Sequence, residues 1–340
     1  MAVSPPSRHD SPISRAPRAS RAHRLSRAAR ISVLAAVATG LATGPALAAD
    51  TATDTAGADS SGKPTVVLVH GAFADASGWN DVVERLRHQG YKVMAPANPL
   101  RGLGRDSTYI ASVLKSIDGP IVLAGHSYGG AVITQAAAGN PNVKALVYVS
   151  AFMPDKGETL GELSARFTGS ELQPALRPVP YTDGATSGQD LYIRNNKFHS
   201  VFAADLARAE TRVMADGQRP IAAACFEEKA TRAAWREIPS WFVVSRHDKA
   251  IAPDLERFEA RRAKSRTVEL NSSHVSMMSH PDDVTQIIKD AAAATESERR
   301  AELASTGTRS QALAGIGGLA GAALLAGATL LTTARRTSRH

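Results

Sequence analysis

Three residues of this chain, Ser127, Asp248 and His274, have the types and the order needed for nucleophilic attack on a carbonyl carbon. A serine hydroxyl is a weak nucleophile until a base takes its proton, and the base needs an acid to orient it and to balance its charge. Ser127 stands in Gly125-His126-Ser127-Tyr128-Gly129, a G-x-S-x-G run. Small residues two before and two after a serine permit a sharp, crowded turn with the hydroxyl at its tip. Asp248 and His274 follow in the chain, each just past an apolar run. The developing oxyanion would need two fixed backbone N–H groups. Tyr128, the residue after the serine, is expected to supply one, and Ala72 in His70-Gly71-Ala72-Phe73 the other. Each role has a rival. His280 precedes Pro281 and suits a loop-closing role, and His247 adjoins Asp248. Asp155 is a rival acid, and Asp248 itself could be a plain turn residue. His70 and His126 are read as structural hydrogen-bonding residues.

The elements that must carry these groups are legible as alternating patterns. Thr65–His70, Ile121–His126, Val143–Val149 and Trp241–Ser245 are continuous apolar runs, expected for strands buried on both faces of a parallel sheet. Tyr91–Ala95 and Thr267–Leu270 are shorter strand candidates. Between them lie helical patterns, such as Ile110, Val113, Leu114 and Ile117 in a helix starting at Asp106. A helix is expected directly after Ser127, and a closing helix over Asp283–Ala294. The alternation predicts an α/β fold, a mostly parallel sheet with helices on both faces. From about 152 to 237 the alternation stops. That stretch holds Pro154, Pro174, Pro178 and Pro180, with short helical pieces, and is expected to be a cap inserted over the site.

Charge and composition exclude other classes. The net charge is +8, but residues 1–48 hold seven arginines against one aspartate, and residues 307–340 hold four arginines and no acid. The middle of the chain is therefore slightly acidic, and no nucleic-acid partner is expected. Cys225 is the single cysteine and is read as a buried apolar residue. There is no H-E-x-x-H, no cysteine cluster, and no G-x-G-x-x-G after a strand, so no metal and no cofactor are expected.

The two ends carry sorting patterns. An arginine-bearing segment, an apolar run over Ile31–Leu41 and Pro45-Ala46-Leu47-Ala48 read as a signal peptide, residues 1–48, cut after Ala48. As a membrane span that run is short. Residues 49–62 are a flexible lead-in, 63–292 the globular domain, and 293–306 a polar spacer. Leu303-Ala304-Ser305-Thr306-Gly307 is followed by an uncharged apolar stretch over 312–331 and a tail with Arg335, Arg336 and Arg339. The stretch is long enough to cross a bilayer, with the arginines on the cytoplasmic side.

Taken together, His70-Gly71-Ala72-Phe73 with Trp79, the Ser127 motif, Asp248-Lys249 with Pro253, and Ser273-His274-Val275-Ser276-Met277 resemble the α/β-hydrolase superfamily. The resemblance is to the branch with plant methyl esterases, hydroxynitrile lyases and bacterial small-ester hydrolases. It covers about residues 63–292. It implies an α/β-hydrolase fold and a serine esterase without cofactor, acting on a small-molecule ester through Ser127, Asp248 and His274. The lyases of this branch carry a lysine after the histidine and a threonine before the His-Gly turn; the matching residues here are Val275 and Val67, which favours hydrolysis. Cofactor-free haloperoxidase-like activity and a non-catalytic surface binding module are the alternatives. The 303–340 segment resembles the cell-wall sorting signal of actinobacterial sortases. That implies cleavage between Thr306 and Gly307, a transient membrane contact, and attachment of Thr306 to peptidoglycan at the cell surface. A retained C-terminal membrane anchor is the alternative.

Overall fold

β-Branched and aliphatic residues favour extended, two-sidedly buried strands, and the central strands here have that composition. In the computed structural model, residues 62–301 are described. The expected signal peptide, the lead-in up to residue 61, Thr306, Gly307 and the apolar stretch 312–331 lie outside them. Among the described residues no helix is long and apolar enough to cross a membrane.

The strands are β1 (Thr65–Val69), β2 (Val93–Met94), β3 (Ile121–His126), β4 (Val143–Val149), β5 (Leu176–Asp183), β6 (Thr186–Ile193), β7 (Ile221–Ala222), β8 (Ser240–Ser245) and β9 (Arg266–Leu270). Six of them form one sheet in the order β2-β1-β3-β4-β8-β9, with every pairing parallel. All of β3 and β8 is buried, as is β4 except Lys144. The edge strand β9 is mostly exposed. The helices are α1 (Asn80–His88), α2 (Leu103–Lys115), α3 (Tyr128–Ala136), α4 (Leu160–Ala165), α5 (Leu172–Ala175), α6 (Asn195–Phe202), α7 (Arg208–Asp216), α8 (Ala224–Glu227), α9 (Pro253–Arg262) and α10 (Ser276–Ser279). A closing helix, α11, runs through 281–301.

The strand order decides where a site can form. From β1 the chain moves outward to β2, then crosses back over β1 to β3 and continues the other way to β4. Right-handed crossovers in opposite directions place their helices on opposite faces. Accordingly α2 packs with α3, whereas α1 packs with α10 and ties to α11 through an Arg85–Asp282 ion pair of 2.6 Å. Between β1 and β3 the loops diverge and leave a crevice at the carboxyl ends of the strands, where open α/β sheets place their ligands.

The segment between β4 and β8 contains a second sheet that the sequence did not announce. β5 and β6 form an antiparallel hairpin, and β7 joins the far side of β6. Pro178 and Pro180 lie in β5, which is an edge strand, the one place in a sheet where missing N–H donors are tolerated. Most of β5 is exposed, so no apolar alternation marks it. The available signal was Asp183-Gly184. Gly184 opens a two-residue turn with φ +59°, a conformation that glycine adopts freely.

Candidate active site

The crevice is built from backbone first. Ser127 follows β3 directly and has φ +55° and ψ −125°, outside the regions open to an unstrained L-residue. Its N–H donates to the Val149 carbonyl at 3.2 Å, and its own carbonyl accepts from Gly130 and Phe152. The flanking glycines are required by contact. A Cβ on Gly125 would lie 2.6 Å from the Gly129 oxygen, and one on Gly129 would lie 2.5 Å from the Val69 oxygen. The start of α3 is thereby pressed against the end of β1. Phe73, after β1, and Ser150, after β4, also have positive φ, +61° and +46°. Strained backbone thus borders the crevice on three successive strands.

Within this frame the structure brings Ser127, His274 and Asp248 together. His274 Nδ1 lies 2.6 Å from Asp248 Oδ2, and His274 Nε2 lies 2.8 Å from Ser127 Oγ. The tautomer that serves both contacts carries its proton on Nδ1, donates it to Asp248 and accepts from the serine O–H. Asp248 is fixed from behind, its Oδ1 accepting from the Ala250 and Ile251 amides at 2.7 and 2.9 Å. His274 and Asp248 are each 1% exposed and Ser127 7%, so the array is shielded from bulk water.

The Ala72 and Tyr128 amides flank the serine. A Cβ on Gly71 would lie 2.6 Å from Ser127 Cβ, so the loop after β1 lies directly against the elbow. Neither amide donates to a partner among the described residues, whereas the neighbouring Phe73 amide is taken by the Arg219 carbonyl. The Tyr128 amide also belongs to the first turn of α3, where free N–H groups and the helix dipole favour negative charge. Its phenol is anchored at 2.7 Å on the buried Asp106.

The rivals are placed elsewhere. Asp155 pairs with Arg236, His247 contacts Asn271 and His280 contacts Ser279. Cys225 is buried, and burial pushes its thiol up, away from the reactive thiolate. Among the described residues no group of three or more His, Cys, Asp or Glu is placed to hold a metal ion. A groove of about 610 Å³ lined in part by Ser107, Gln135, Asn140 and Arg232 contains none of the three residues.

The profile of the alpha/beta hydrolase family matches residues 66–287. The chain belongs to that family. This hydrolase is 35% identical over 145 residues to a carbendazim hydrolyzing esterase of Nocardioides sp. (strain SG-4G), covering 34% of this chain and 59% of that enzyme. It is 26% identical over 253 residues to the alpha/beta hydrolase nvfD of Aspergillus novofumigatus (strain IBT 16806), covering 68% of this chain and 97% of the relative. Among solved structures it is similar to polyneuridine aldehyde esterase, with a TM-score of 0.59, 20% identity, and coverage of 67% of this chain and 98% of the other. A pyrethroid hydrolase from Sphingobium faniae JZ-2 gives a TM-score of 0.56, 22% identity, and coverage of 68% and 98%. At these identities the structural likeness concerns the fold.

Several groups of this hydrolase touch the array without having been assigned a part in it from the sequence. Phe202 of α6 packs its ring 5.0 Å from that of His274, and Phe73 and Phe198 pack on Phe202. Asp205, between α6 and α7, accepts from both the amide and the hydroxyl of Ser273, the residue before His274. Burial alone would raise its carboxyl, but the hydrogen bonds from Ser273 and Ser279 outweigh burial and hold it below the usual range. His70 and His126, read as structural, support the site from beneath. His70 accepts from the Asn98 amide on Nε2, and its Nδ1 donates to the Gly71 carbonyl. His126 Nε2 donates to the His274 carbonyl at 3.0 Å. Burial, then the proximity of His274, push the His126 ring well below the usual histidine range, so it stays neutral beside the base.

Proposed function

We propose that this hydrolase is a serine esterase that cleaves small carboxylic esters through an acyl-enzyme. The observation that carries the reading is the continuous hydrogen-bonded array Ser127–His274–Asp248, with the partner-free Ala72 and Tyr128 amides beside it. Ser127 Oγ attacks the ester carbonyl while His274 Nε2 takes the hydroxyl proton. The oxyanion forms against the two amides. The tetrahedral intermediate collapses, and His274 passes its proton to the departing alcohol. Water then enters, His274 deprotonates it, and attack on the acyl carbon releases the acid and restores Ser127. Asp248 stays ionised throughout and stabilises the imidazolium. Phe73, Phe198 and Phe202 form a buried apolar cluster packed against His274, and this apolar surrounding supports an ester with an apolar or aromatic group. The named activities of the carbendazim and pyrethroid relatives point the same way.

The test is to treat purified protein with a fluorophosphonate probe and to assay hydrolysis of p-nitrophenyl acetate. Modification of Ser127 together with turnover is expected. A folded protein that neither reacts nor turns over would instead be a binding module on a hydrolase fold.

The ends of the chain support a second part of the proposal, that the enzyme is secreted and displayed at the cell surface. The 1–48 segment supports export, and Leu303–Gly307 with the apolar stretch and basic tail supports sortase transfer of Thr306 to peptidoglycan. Muramidase treatment of cells is expected to release enzyme lacking residues 307–340. Enzyme extracted by detergent with those residues intact would mean a membrane anchor.

A further inference from the structure

A second carboxyl group stands behind the acid of the array. Glu256 lies on the inner face of α9 and is 0% exposed. Its Oε2 accepts from the Ser245 amide at 2.9 Å. Its Oε1 is buried and receives a hydrogen bond from no donor among the described residues. Ser245, which binds the other oxygen, also accepts the Asp248 amide at 3.2 Å, and this turn sets the Asp248 carboxyl beside that of Glu256. Two carboxylates cannot share a dry site with both charged, since each oxygen would meet an acceptor and a like charge. With one proton between them, the unpartnered oxygen becomes a donor and the contact becomes a hydrogen bond.

The proton belongs on Glu256. Asp248 already accepts two backbone amides and the His274 N–H, three donors that favour its ionised form. Glu256 has one amide donor. We propose that Glu256 is a positioning residue: its carboxylic O–H donates to Asp248, holding the carboxylate against His274 and adding a neutral donor to the ionised acid. Burial, then the charge of Asp248, push the Glu256 carboxyl well above the usual range, while the Ser245 amide works in the opposite direction. The titratable groups bearing on it are Asp248, from the loop after β8, and Glu259, on the next turn of α9. His274 lies on the other side of Asp248, with its Nδ1 on Asp248 Oδ2. The Ser245 hydroxyl joins a buried set with Ser150 and Ser272, and Ser150 links on to Ser276.

The sign of the pH effect follows. The folded-state value of Glu256 lies above its unfolded value. The stability it lends is complete below the ordinary glutamate range and is lost as pH rises toward and through the raised value.

This inference rests on the triad reading above, so the experiment separates the two. Wild type, Glu256→Gln and Glu256→Leu are compared by steady-state kinetics, by fluorophosphonate reaction at Ser127, by melting temperature against pH, and by infrared spectroscopy of the carboxyl stretch. Glutamine keeps the donor and the shape without the proton. Glu256→Leu is expected to lower kcat on the order of 10²-fold with little change in KM, as a displaced orienting group does, and Glu256→Gln to restore most of that loss. The wild-type minus Glu256→Gln difference spectrum should show a protonated-carboxyl band at neutral pH; the difference leaves out the contribution of the buried Glu259 common to both proteins. As pH rises from the ordinary glutamate range the wild type should also lose stability more steeply than Glu256→Gln. Absence of the band, or equal pH slopes in wild type and Glu256→Gln, overturns the proposal, as does a Gln variant as impaired as Leu. If Leu fails to fold, the Gln comparison and the band still decide. If instead Ser127 does not react in the wild type, the esterase reading fails, while the band still reports on the Glu256–Asp248 pair.

Discussion

Replacing Ser127 with alanine is expected to lower kcat for ester hydrolysis by about 10⁴- to 10⁶-fold, the range seen when a serine nucleophile is removed from an intact triad. The change deletes a single oxygen. The strained backbone at φ +55° is no worse for alanine than for serine, because the Cβ is the same. The Val149, Gly130 and Phe152 backbone contacts to residue 127 do not involve the hydroxyl. Circular dichroism and melting temperature should therefore match the wild type, and the loss can be assigned to chemistry. A residual rate above that in water is expected, because the Ala72 and Tyr128 amides remain in place to bind an oxyanion. Turnover of p-nitrophenyl acetate at the wild-type rate would refute the mechanism.

Asp248→Asn is expected to cost about 10⁴-fold in kcat while leaving the fold intact. The asparagine carbonyl oxygen can take over the Ala250 and Ile251 amides, which hold the turn. Its amide nitrogen then faces His274 Nδ1, where Asp248 Oδ2 accepts at 2.6 Å in the wild type. A donor at that point favours the histidine tautomer with its proton on Nε2. That nitrogen then faces Ser127 Oγ as a donor and cannot take the serine proton. The loss should fall on kcat, measured in the same assay, with KM within a few fold. Full activity in this variant would transfer the acid role to another carboxylate. Asp155, the rival by sequence, is held on Arg236.

Much of this architecture was legible in the sequence because it rests on short-range patterns. The buried strands are continuous apolar runs, and the elbow is a local motif in which a Cβ on either flanking glycine would come within 2.6 Å of a backbone oxygen. The serine, acid and base come from three loops that the strand order brings to one end of the sheet. What escaped was the part decided by tertiary contact. The β5–β6 hairpin lacks apolar alternation because it is largely exposed. Glu256 looks like the solvent face of a charged helix, Pro253–Arg262, yet Leu255, Glu256, Glu259 and Ala260 are its buried positions. The spacing of Leu255 with Glu259 and of Glu256 with Ala260 marks one helical face. That face could have been flagged as carrying two glutamates inward. Asp205 carries no motif; it is meaningful only because Ser273 lies opposite.

The cap is tied separately to the loops after β1, β8 and β9. The Arg219 carbonyl takes the Phe73 amide of the loop after β1, and the Glu171 amide donates to the Lys249 carbonyl of the loop bearing Asp248. Asp205 holds Ser273 beside His274. Two of these three ties are made by main-chain atoms, which every amino acid except proline can supply. Inherited changes in the side chains of the cap can therefore redraw the set of accepted esters without cutting the ties that hold the three loops. In such a design new substrate ranges can be sampled one substitution at a time, with the reacting atoms kept in register throughout.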